Sequence, residues 1–239
     1  LQFAVGKNIG GIWYWLGERP LSLATPYISK VYLENLGYFL RPYSTFPHPN
    51  ALAGYLLISL ILLIKNKINI FASLRLCIFV SGFTALLLTF SKTILFPLAI
   101  FMSPSDLHIS VNERLLLFQN SISVIQKYPL TGIGLGTYPA VSYTMFPSSL
   151  PLSYQPVHNI FMLILSELGL PIFIAVLILL FNNFKHSFQI LNFKFQIAAF
   201  LITGMLDHYW LTSPSNLLLL FVVAALLQST NARQSNHFH

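Results

Sequence analysis

Three short stretches of this chain gather the residue types that group transfer uses. The first is Arg41-Pro42-Tyr43-Ser44-Thr45-Phe46-Pro47-His48-Pro49-Asn50. The second is Glu113-Arg114, with Tyr128-Pro129-Leu130-Thr131-Gly132-Ile133-Gly134-Leu135-Gly136-Thr137-Tyr138 downstream. The third is His158-Asn159, at the head of an apolar run that carries Glu167 and Gly169. An arginine fork is permanently charged and grips phosphate oxygens in pairs, so Arg41 and Arg114 suit an anionic, phosphate-bearing group. Histidine titrates near neutrality, so His158 suits taking the proton from an attacking hydroxyl. With no Asp/Glu cluster to hold a divalent ion, no metal and no cofactor is expected, and guanidinium groups would supply the positive charge.

Each of these has a plainer reading. Arg41 would serve as a headgroup anchor, Arg114 as a solvated helix residue paired with an acid, and His158 as a cap on the run that follows it. Further candidates for binding donor or acceptor are His48, Asn50, Lys92, Asn159, Glu167, Asp207 and His208. Glu167 stands nine residues past His158, about 13 Å along a helix. An acid at that depth is costly, so a bond to a neighbouring helix, an ion pair with Lys92 and a direct role all stay open. The Gly132, Gly134 and Gly136 run reads as a tight turn, since no strand precedes it. Neither a Gly-x-Ser-x-Gly elbow nor a His-Glu-x-x-His helix is present.

Composition says what must carry these residues. Of 239 residues 55% are hydrophobic and only 8% charged, with a mean hydropathy of +0.70. Soluble domains are about 25% charged, so the chain reads as an all-α polytopic integral membrane protein. The single cysteine, Cys77, rules out an intrachain disulfide and a thiolate zinc cluster. The net charge of +7 is spread over short loops rather than a dense basic run, so it reports topology, and no nucleic-acid partner is expected. The opening Leu1-Gln2-Phe3 shows no initiator Met or signal peptide and reads as the later part of something longer.

Apolar runs at 49–64, 74–102, 160–181, 195–206 and 216–227 give about five transmembrane helices. Lys65, Lys67 and Arg75 fill one connection, Lys185 and Lys194 another, and Arg233 the tail. Basic connections face the cytoplasm, so segment 1–48 and the long loop 103–157 lie outside, provided 74–102 crosses once. The organisation expected is an extracytoplasmic interfacial or re-entrant segment over 1–48 and membrane helices over 49–102. A catalytic loop follows over 103–157, then membrane helices over 158–228 and a cytoplasmic tail over 229–239. The loop should contain a helix from 111 to 127, capped by Asn112 with Glu113 at its positive end and stopped by Pro129.

Taken in order, the Arg-x-x-x-Thr-Phe-x-x-Pro-Asn pattern from Arg41, Ser91-Lys92, the Arg114 helix, Pro-Leu-x-Gly-x-Gly-x-Gly and His158-Asn159 before Leu165-Ser166-Glu167-Leu168-Gly169 carry a resemblance. The chain resembles the O-antigen ligase and O-antigen polymerase superfamily of bacterial membrane glycosyltransferases over most of 41–181. Lys92 departs from the family's usual arginine, and the stretch between Ser91 and Arg114 is short. The resemblance implies transfer of a glycan from an undecaprenyl-diphosphate donor to a lipid or glycan acceptor hydroxyl. It places that reaction outside the bacterial cytoplasmic (inner) membrane, with no nucleotide sugar or required metal. Ligase, polymerase and protein oligosaccharyltransferase remain alternatives within it. From other classes, a transporter or lipid flippase would use Glu167, Lys92 and Pro97, and a non-catalytic membrane scaffold would use none of them.

Overall fold

The computed structural model describes residues 1–33, 36–65, 72–89, 104–147, 154–187 and 191–235. Most of them are helical, and the chain divides into two compact units, Leu1–Pro104 with Ser213–Leu219, and Ser105–Thr212 with Leu220–His239.

In the first unit, α1 (Gln2–Val5) and α2 (Ile12–Trp15) precede an antiparallel pair, β1 (Lys30–Leu33) and β2 (Gly37–Leu40). The hairpin is the departure from an all-helical chain. Its strands, Lys-Val-Tyr-Leu and Gly-Tyr-Phe-Leu, carry three aromatic residues and one β-branched residue suited to a pleated surface, with Tyr32 against Tyr38 and Phe39 stacked on Phe3 at 5.0 Å. Glu18 ties this segment together, accepting from Gln2 Nε2 at 2.6 Å and from the backbone N–H of Ile9 and Gly10. The same Gln2 accepts from the N–H groups of Tyr43 and Ser44. Segment 1–48 is therefore a folded cap held by its own hydrogen bonds, with Trp13, Tyr14 and Trp15 exposed on it.

Pro49 then opens α3 (Pro49–Lys65), its fixed φ suiting the first helical position. This helix packs against α4 (Ala72–Leu88), where Gly82 admits the Leu60 side chain. The expected long run 74–102 is seen as α4 up to Leu88, and whether its remainder crosses again falls on residues outside those described.

The second unit holds α5 (Pro104–Lys127), α6 (Tyr138–Met145), α7 (Ile160–Ser187), α8 (Leu191–Leu206) and α9 (Tyr209–Thr212). The last helix, α10 (Pro214–Ser235), belongs to both units and continues past the expected end of its span. Helix α5 starts at Pro104 rather than at 111. Asn112 is therefore inside the helix, not its cap, and Glu113 is not at its start; a good first-turn proline outranked a good cap residue. The stop before Pro129 is as expected.

Among the described residues one helical stretch, Ile160–Asn182, is long and apolar enough to cross a membrane, with a mean hydropathy of 2.6. The other apolar helices are shorter: Pro49–Leu63, Leu76–Leu88, Phe195–Leu206 and Pro214–Leu226. On α7 the residues Ile172, Ile174, Ile178, Leu179 and Phe181 face outward, as lipid contact requires.

Candidate functional site

The start of α7 and the end of α8 meet. Asn159 caps α7, its Oδ1 accepting from the N–H groups of Phe161 and Met162, while its Nδ2 donates to the Met205 carbonyl at the end of α8. Arg114 donates to the next carbonyl, Leu206, at 2.9 Å. Two terminal carbonyls of α8 are thus satisfied by a capping amide and a guanidinium, which also complements the negative helix end. Asn159 takes the capping part considered for His158, and the partner found for Arg114 is a carbonyl rather than an acid.

Capping leaves the His158 imidazole for other work. Its Nδ1 is 3.2 Å from Asp207 Oδ1, with the histidine side chain 19% and the carboxylate 4% exposed. The same Oδ1 accepts from the His208 backbone N–H at 2.8 Å, which fixes the carboxylate. His208 lies 5.1 Å from His158 ring to ring, and its Nδ1 meets Thr212 Oγ1 at 2.8 Å. Burial pushes His208 down to about 4 against the pull of Asp207, with His158 and Arg114 adding to the lowering, so its imidazole is neutral at neutral pH. Beneath this turn Trp210 is fully buried and donates from Nε1 to Thr203 Oγ1, anchoring α9 on α8. Gly204 lets Ile160 approach so closely that an added Cβ would meet Ile160 Cδ1 at 2.6 Å.

A second arrangement lies further along α7. The helix is broken at Gly169 (φ 75°, ψ 172°), two residues before Pro171. The carbonyls of Ser166 and Glu167 accept instead from Ile133 and Gly134 at 3.0 and 2.8 Å, and Leu170 N–H donates to Pro129. The Glu167 carboxylate accepts from the N–H groups of Gly136 and Tyr138 at the start of α6. Gly132 and Gly169 permit this contact, since an added Cβ would stand 2.4 Å from Glu167 and 2.2 Å from Leu130 backbone atoms respectively. Of the readings open to Glu167, the bond to a neighbouring element is the one observed. The glycine run is a tight turn, as expected, and also a docking surface. Gly-Leu-Pro inside an apolar run was the available signal for the break.

Arg41, in the first unit, is 7% exposed. It donates from Nε to the Thr89 carbonyl at 2.6 Å, from one terminal nitrogen to Ser29 Oγ at 2.5 Å, and from the other to Asn50 Oδ1 at 2.8 Å. The bond from Asn50 N–H to His48 Nδ1 at 3.1 Å turns the start of α3. Arg41 and Asn50 therefore form one buried pair, with the exposed His48 joined to it through the Asn50 backbone. The contributions of Ser29 and Thr89 carried no signal in the sequence. Lys92 lies outside the described residues.

A model of the O-antigen ligase family matches residues 50–177, more than half of the chain. The chain belongs to the O-antigen ligase family. No curated protein and no solved structure matches it. Family membership makes this a membrane protein of the glycosyl-transfer kind, tied to polysaccharide biosynthesis and to lipid-linked glycans. Within the matched stretch of this O-antigen ligase family member lie Asn50, Arg114, His158, Asn159, Glu167 and the break at Gly169. Arg41, His48, Asp207 and His208 lie beyond it. Among the described residues, His158, Asp207 and His208 could hold a metal ion, each offering one ligand atom and all within 4.8 Å of one another.

Proposed function

We propose that the protein transfers a glycan from an undecaprenyl-diphosphate donor to an acceptor hydroxyl at the outer face of the bacterial inner membrane. The observation that carries this reading is the His158–Asp207 pair at the head of an apolar helix, beside Arg114. With Nδ1 turned to Asp207, the ring offers Nε2 to the acceptor hydroxyl, and the carboxylate stabilises the imidazolium once the proton arrives. The hydroxyl oxygen bonds to the anomeric carbon while the bond to the diphosphate oxygen breaks, with inversion. Arg114 meets the charge that develops on the leaving diphosphate, a task for which a fixed guanidinium is suited. If α7 enters from outside, α8 returns there, which brings Asp207 and His208 to the face that holds His158.

The transporter reading asked for a broken helix with an acid at depth, and α7 is broken next to Glu167. Its carboxylate is engaged by two backbone N–H groups and the break is filled by loop backbone, which favours a fixed joint over a substrate path. The test is transfer of an undecaprenyl-diphosphate-linked glycan by the full-length protein in proteoliposomes. His158→Ala should lose transfer by about 10²–10⁴-fold with donor binding kept. In Asp207→Asn turnover should fall about 10–100-fold, the worth of one charged hydrogen bond. Arg114→Ala should lower turnover and raise the donor KM. Unchanged turnover in all three overturns the proposal.

A further inference from the structure

We propose that His158, Asp207 and His208 form a reversible binding site for a divalent transition-metal ion of the zinc type. Two imidazoles and a carboxylate with an open fourth position are a common zinc donor set. At zinc–ligand distances near 2.0–2.2 Å, tetrahedral ligand atoms stand about 3.3 Å apart, and His158 Nδ1 and Asp207 Oδ1 already stand 3.2 Å apart. The third ligand atom is within 4.8 Å, and binding requires the His208 ring to leave its contact with Thr212 and turn toward the other two. Asp207 is held in place by the His208 N–H, the kind of outer contact that orients a metal ligand.

The three residues are half-buried, buried and half-buried, so an ion reaches them from solvent and is partly desolvated on arrival. Nitrogen-rich ligands select Zn²⁺, Co²⁺ or Cu²⁺ over Mg²⁺ and Ca²⁺. Coordination replaces the His158–Asp207 hydrogen bond: the proton of the neutral His158 ring moves from Nδ1 to Nε2, and each ligand contributes a lone pair with no change in oxidation state. Arg114, anchored at Leu206, adds a nearby positive charge that keeps the site weaker than a closed structural zinc centre. If the transfer reading holds, an ion bound here ties up the His158 imidazole, so zinc inhibits an enzyme that needs no metal. That clause rests on the transfer reading, whereas the binding itself does not.

The test uses the full-length protein in detergent, free of any purification tag and of substrates, titrated with Co²⁺ and followed by its visible absorption. The wild type should take up one equivalent, displaced by Zn²⁺ and not by Mg²⁺. His208→Gln and Asp207→Asn should each weaken apparent affinity at least about tenfold, although both retain the tail histidines His237 and His239. Should Asp207→Asn fail to fold, His208→Gln and His158→Gln decide the matter. Absence of a visible band, or equal affinity in wild type and variants, overturns the proposal. Since nothing is turned over, failure of glycan transfer leaves the binding result standing.

Discussion

At Arg41 the guanidinium divides its nitrogens among Thr89, Ser29 and Asn50, which makes it a strut for the first unit as well as a candidate for phosphate. A lysine keeps the charge but offers one compact ammonium in place of a fork. Arg41→Lys should therefore leave at least one buried acceptor unmet, at about 1–3 kcal/mol, and lower the melting temperature in detergent. Arg114→Lys, replacing a single bond to an exposed carbonyl, should melt close to wild type. Glu18 gives a pH test. Burial pushes its pKa up, but the bonds from Ile9, Gln2 and Gly10 outweigh that and hold it below the usual carboxylate value. Its stabilisation is present above the ordinary carboxylate range and is lost as pH falls through the lowered value. Glu18→Gln should be less stable at neutral pH and show a flatter loss of stability in acid, read from melting curves against pH. The identities of Arg41, Arg114 and His158 were legible in the sequence because their chemistry belongs to the residue type. Their partners were not, because Thr89 is 48 and Asp207 is 49 positions away from the side chain each one meets.

Between the glycine loop and α7, backbone bonds to backbone. That is why side-chain patterning announced neither the contact nor its strength. Proline and glycine were the legible part: Pro129 ended α5 where expected, and the run after it had to turn. The start of α5 was misread because a local cap preference at Asn112 competed with an equally local proline preference at Pro104, and nothing in a short window ranks the two. Gly169 stands in a backbone region essentially reserved for glycine, and its Cα faces the Leu130 carbonyl. Gly169→Ala should cost about 1–3 kcal/mol in backbone strain alone, with the overlap added, and should appear as a lower melting temperature and protease cleavage within 129–137. Glu167→Gln is milder, since the amide oxygen accepts one of the two N–H groups now bound and its NH₂ opposes the other. Amide exchange at Gly136 and Tyr138 should then quicken while the rest of α7 keeps its protection, which separates a released loop from an unfolded helix.

For the molecule as a whole, the helix ends fix how α7 and α8 run relative to each other, and the basic residues of the sequence bear on which end faces the cytoplasm. Asn159 and Met205, like His158 and Asp207, join the start of α7 to the end of α8, so these helices run antiparallel, with a connection that is short in sequence. That connection is flanked by Lys185 and Lys194, and basic connections stay in the cytoplasm. On the proposal made above, the turn at 207–208 is then outside, and α10 leads back in. By the same rule the proposal expects Lys65 and Arg75 inside and segment 1–48 outside. Apolar run lengths suggested this count, yet α3, α4, α8 and the apolar part of α10 each fall short of a full span, so length alone does not decide it. Direction is testable with single cysteines introduced after Cys77→Ser. Ala24→Cys and Ala140→Cys, both at exposed positions, should react with a membrane-impermeant maleimide added to intact cells. Lys65→Cys and Lys194→Cys should react only after the membrane is opened. Labelling of Lys194→Cys from outside would invert the α7–α8 pair, carry His158 and Asp207 to the cytoplasmic face, and end the case for transfer from an outward-facing lipid-linked glycan.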